Sequence, residues 1–180
     1  MLPLVIVGVG AALLARARGG SFETLAATEF RMVGLLAGGL TLQVVFTSWH
    51  PEWLSDRMTL AIVVWSNAAV ILFIVLNRRL AGTMLMAAGL ALNILVIAAN
   101  GAMPVSERAV EIAGAPGAPD EASIEHEPLG PHSVLGWLGD VVPVPSGREV
   151  LSIGDLLLIA GIGRLVYVQS RARVPPVSGW

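Results

Sequence analysis

Gly136–Gly161 reads GWLGDVVPVPSGREVLSIGDLLLIAG and decides how the chain is interpreted. It begins as a short apolar stretch, turns through Pro143–Val144–Pro145–Ser146–Gly147, and enters an apolar run that continues to Val168. Two carboxylates, Asp140 and Asp155, flank that turn. Asp155 falls where the run becomes helical, and exposed N–H groups at a helix start favour a negative charge there. A second carboxylate close by makes a pair whose protons are coupled.

Outward from this stretch the chain is dominated by apolar runs. Met32–Trp49, Met58–Leu76 and Leu80–Ala99 each approach the roughly 20 residues needed to cross a bilayer, and Leu2–Ala15 and Leu151–Val168 are shorter. With 55% hydrophobic residues, 13% charged residues and a mean hydropathy of +0.76, the composition departs from the soluble norm of about a quarter charged. The expected fold is an all-α integral membrane protein occupying residues 1–180 as one domain. Five helices are expected at about 2–15, 32–49, 58–76, 80–99 and 151–168, with one long external loop over 101–149. Cysteine is absent, which excludes disulfide and thiol chemistry.

Charge placement orients the helices. Arg16 and Arg18 follow the first apolar run rather than precede it, which is the reverse of a secretory signal. Alternation from an external N-terminus puts Arg16, Arg18, Arg31, Arg78, Arg79, Arg164, Arg171 and Arg173 inside, eight of the 11 basic residues. Only Arg57, Arg108 and Arg148 stay outside, together with most of the acids. That bias predicts a multi-pass protein of the cytoplasmic membrane, with its C-terminus in the cytoplasm.

Several residues have assignable tasks. Gly34 and Gly38 are four apart, a spacing that lets helix backbones approach closely, either within the chain or against a membrane partner. The amides of Gln43, Asn67 and Asn93 lie at membrane depth and are expected to hydrogen-bond between helices. Trp49, His50, Pro51 and Trp53 read as an external interfacial cluster. In the long loop, Ala113–Pro119 is a flexible spacer, Asp120–Glu127 is an acidic run, and Val134–Val144 is expected to lie back over the helices. Glu125, His126, Glu127, His132 and Asp140 offer nitrogen and oxygen donors for a metal such as zinc or manganese, His126 and His132 being the histidine candidates, although their spacing follows no established motif. Nucleotide-binding loops and basic nucleic-acid patches are not visible, so the lipid bilayer and a membrane protein are the expected partners, and no cofactor is expected.

The segments NGAMPVS at Asn100–Ser106, LGDVVPVP at Leu138–Pro145 and LSIGDLLLIAGIG at Leu151–Gly163 resemble an uncharacterised bacterial family of small five-helix membrane proteins with a domain of unknown function. That resemblance implies the architecture and no activity. Gly139–Asp140–Val141–Val142 and Leu151–Ser152–Ile153–Gly154–Asp155 are also similar to the two catalytic-aspartate segments of prokaryotic lipoprotein signal peptidases. Ser152 stands where that family has Asn, Gly154 where it has Ala, and the interval between the aspartates is shorter. This second resemblance implies a membrane-edge aspartic hydrolase with Asp140 and Asp155 as catalytic residues, one carboxyl protonated and the other activating water. The alternative is structural: Asp155 caps the last helix and Asp140 pairs with Arg148. The function expected first is a non-catalytic accessory or assembly subunit of a membrane complex, with the hydrolase as the alternative.

Overall fold

The computed structural model describes residues 2–48, 54–115 and 126–172. Five long helices run α1 (Leu2–Ala17), α3 (Val33–Ser48), α4 (Asp56–Leu76), α5 (Thr83–Asn100) and α7 (Ile153–Gln169), and α2 (Phe22–Ala26) and α6 (Glu107–Ala113) are short. The expected helices are all present, with ends shifted by a few residues. Two of them, Arg57–Leu76 and Thr83–Asn100, are long and apolar enough to cross a membrane, with mean hydropathies of 2.4 and 1.8.

Local chemistry sets the ends. Ser55 begins α4 by accepting from the Met58 N–H, and Ser106 begins α6 by accepting from the Ala109 N–H. α5 stops at Gly101, whose φ of +92° lets its N–H turn back to the Ile97 carbonyl. α4 stops at Asn77, whose buried side chain donates to the carbonyls of Phe73 and Arg31 and accepts from the Arg31 N–H at 2.8 Å. That exchange ties the end of α4 to the start of α3.

The 101–149 region differs most from expectation. Its described residues, 101–115 and 126–149, are not an open loop but form with residues 150–152 a folded cap, with β1 (Met103–Val105), β2 (His126–Pro128), β3 (Asp140–Val144) and β4 (Glu149–Ser152) in the order β2-β1-β3-β4. β1 is parallel to both neighbours, and β3 and β4 form an antiparallel hairpin that runs directly into α7. The expectation that Val134–Val144 returns over the helices holds for its first part. Leu135 and Leu138 pack with Val96, Met103 and Ile153, and Asn100 exchanges hydrogen bonds with the Val134 backbone at 2.7 and 2.8 Å. The cluster of Trp49, His50, Pro51 and Trp53 lies outside the described residues, as do 116–119 of the spacer and 120–125 of the acidic run.

α5 and α7 pack through facing glycines. A Cβ on Gly154 would collide with Asn93 and the Gly89 carbonyl, and one on Gly161 with Met86 and the Gly82 carbonyl. Such backbone contact is open only to glycine. Gly34 and Gly38, by contrast, have nothing among the described residues within 4 Å of an added Cβ. The close approach of α3 to α4 is made at Gly39, against Ser66 and Val70, so the expected intrachain role of Gly34 and Gly38 is not the one observed. Asn67 donates within its own helix, to Val63, and of the amides with described side chains Asn93 makes the interhelical bond.

The helix ends sort into two sets. Pro3, at the start of α1, lies beside Gly147 in the β3–β4 turn, while the Ser21 N–H beyond α1 donates to the Ser170 carbonyl at the end of α7. α1 and α7 are therefore parallel and α5 is antiparallel to them. The cap sits at one end, and Arg18, Arg31, Arg78, Arg79 and Arg171 sit at the other.

Candidate functional site

The polar site lies where the cap meets the bundle. β4 ends at Ser152, which is also the N-cap of α7, and three residues on Asp155 completes a capping box. The Ser152 hydroxyl accepts from the Asp155 N–H at 2.9 Å, and Asp155 Oδ2 accepts from the Ser152 N–H at 3.0 Å. Asn93 on α5 closes the ring. Its Nδ2 donates to Asp155 Oδ1 at 2.9 Å, and its Oδ1 accepts from the Ser152 hydroxyl at 2.9 Å. Both carboxylate oxygens of Asp155 therefore have donors from this chain, and Ser152 is fully buried.

Strand pairing brings in the second aspartate. Asp140 stands opposite Ser152 in the β3–β4 ladder and opposite Val105 on β1, and its carbonyl accepts from the Ser106 N–H. A register irregularity lies between Asp140 and Val142. The residue is only 8% exposed. Burial, and secondarily the charge of Asp155, raise its pKa from 3.8 to about 7. His126, on β2, reaches Asp140 with Nε2 at 3.6 Å from Oδ2.

The expected site residues divide as follows. Asp140 and Asp155 come close enough for one to act electrostatically on the other, and Asp155 takes part in capping the helix as the third residue of a capping box whose N-cap is Ser152. Arg148 does not supply the expected partner for Asp140; its Nε donates to the Gly114 carbonyl at 2.7 Å, and His126 occupies that place instead. His132 lies exposed on the turn after Gly130. Among the described residues no group of three or more His, Cys, Asp or Glu is arranged to hold a metal, and Glu125 lies outside them. Ser152 and Asn93 complete the cluster without having been singled out together. The Ser-x-x-Asp spacing of a capping box was visible for Ser152, whereas the link to Asn93 spans 62 residues.

Chemically, the cluster sets a carboxylate that accepts two hydrogen bonds beside a buried carboxyl that exchanges its proton near neutrality. Such a pair can hold and pass a proton.

The family described as "Family of unknown function (DUF5317)" matches residues 27–167. An uncharacterized protein of Thermotoga maritima is 30% identical over 115 residues, which cover 62% of this chain and 66% of that protein, just under two thirds of its length. No solved structure matches.

Proposed function

The chain belongs to the DUF5317 family of unknown function, and we propose that it is a five-span membrane protein serving as a non-catalytic subunit of a membrane assembly. In this reading the N-terminus and the cap are external, the arginine-rich end is cytoplasmic, and the bilayer covers the helices. Support for the placement comes from the sorting of helix ends and from large apolar side chains facing outward, among them Trp65 at 75% and Val44 at 64% exposure.

The observation that carries the non-catalytic reading is the engagement of Asp155. Its two oxygens are bonded to Asn93 and Ser152 in a closed ring, so its position is explained by holding cap to bundle. The open face at Gly34 and Gly38 supports a partner helix, since close-packing residues that no described residue of this chain covers fit a helix from another protein. Mild-detergent purification of the wild-type chain is expected to retain a membrane partner in fixed ratio. Gly38→Leu should release it while the chain stays folded; a wild-type chain that purifies alone as a monomer counts against the proposal.

One observation favours the hydrolase instead. Asp140 is raised to about 7 beside Asp155, the asymmetry that an acid and its water-activating partner require. In that case Asp140→Asn removes a membrane-edge peptidase activity that the wild type displays, with membrane insertion intact.

A further inference from the structure

We propose that Arg18, Arg171 and Tyr167 form a binding site for a phosphate group at the end of the bundle remote from the cap. Arg18 follows α1 and Arg171 follows α7, 153 residues later in the sequence. The two segments are locked together: the Ser21 N–H donates to the Ser170 carbonyl at 2.7 Å, and the Gly20 backbone lies against Ala15 and Ser170. Both guanidiniums then converge on one atom. Arg18 Nη1 donates to the Tyr167 hydroxyl oxygen at 3.2 Å and Arg171 Nη1 at 2.9 Å, and the Arg171 guanidinium also lies 5.5 Å from the Tyr167 ring centre.

This convergence does not balance charge. Among the described residues neither guanidinium is paired with a carboxylate, and what they share is a phenol oxygen. Two cations are thus held together on one phenol oxygen, with no carboxylate between them among the described residues. Each guanidinium has five N–H donors and spends one of them here, leaving donors for an anion. Phosphate fits best, because its oxygens accept in pairs from the planar guanidinium fork and its charge offsets both arginines. The group is supplied either by a phospholipid headgroup or by a free phosphate; only the headgroup source depends on the bilayer placement proposed above.

The chain has a single tyrosine, so tyrosine labelled with 13C at Cζ alone gives one NMR signal that reports on this corner. The full-length protein would be titrated with inorganic phosphate in detergent, and separately placed in phosphatidylcholine nanodiscs with and without phosphatidic acid. A saturable shift of the Tyr167 signal is expected. Response to inorganic phosphate identifies a free anion as sufficient, and response to phosphatidic acid alone identifies the headgroup. Arg18→Gln with Arg171→Gln should weaken binding about tenfold or more, as loss of charge-assisted bonds does. Arg78→Gln with Arg79→Gln removes equal charge from the same end and should change binding by less than about twofold. Absence of a saturable wild-type response to either probe overturns the site, as does an equal loss in the two double variants.

Discussion

Asn93 is the residue on which the polar corner depends, because it bonds Asp155 and Ser152 at once. Asn93→Leu leaves a carboxylate oxygen and a buried hydroxyl short of partners, and chemical or thermal unfolding in detergent should show a loss of about 1–3 kcal/mol. Asp155→Asn should cost less, about 1 kcal/mol, because turning both amides keeps the side chains joined: Asn93 then accepts from the new amide and donates to the Ser152 hydroxyl oxygen, and only that hydroxyl's own proton loses its acceptor. A larger loss in Asp155→Asn than in Asn93→Leu would contradict the ring. Asp140 sets a pH dependence of unusual sign. Its folded pKa of about 7 lies above the ordinary 3.8, so between these values the folded state binds more protons than the unfolded state. The contribution is therefore present at low pH and is lost as pH rises through about 4 to 7. Asp140→Asn should flatten that fall in a pH series of unfolding midpoints, and an unchanged slope would show that Asp140 is not its source. The sequence made Asp155 legible as a helix-opening acid because the cap is local; the partner of Asp140 was not, because His126 arrives from another strand.

Among the elements, the long helices could be read and the strands could not. Apolar runs of 16 to 21 residues leave little choice of structure, and the ends moved by no more than a few residues. β1, β2 and β3 are three to five residues long, and each contains a proline, Pro104, Pro128 and Pro143. Proline lacks the N–H that a ladder uses, so such segments read as loop. The structure accommodates them in short, non-local pairings that no periodicity announces. Helix packing was half legible: small residues marked close approach, but spacing alone did not say which glycines meet. Gly154→Ala tests the observed seam. The added methyl meets Asn93 and the Gly89 carbonyl, both within the packed junction, so a destabilisation of about 1–3 kcal/mol is expected from unfolding measurements. Gly34→Ala should lie within about 0.5 kcal/mol of wild type, since its surroundings are open. Equal effects at the two positions would contradict the packing described.

The whole molecule has one axis, with a folded acidic cap at one end of the helices and exposed arginines at the other. Composition pointed to the bilayer, and arginine placement pointed to the direction of crossing. The cap was invisible as a domain because its contacts join β1 to strands more than 20 residues away. The chain has no cysteine, so an introduced one is its sole thiol. Ser146 is exposed in the β3–β4 turn, and Arg79 is exposed in the turn joining α4 and α5. In sealed, right-side-out membranes, a membrane-impermeant maleimide should label Ser146→Cys at once and Arg79→Cys only after permeabilisation. Labelling of Arg79→Cys without permeabilisation, with Ser146→Cys protected, would contradict the orientation, and labelling of both in sealed membranes would contradict the spanning arrangement itself.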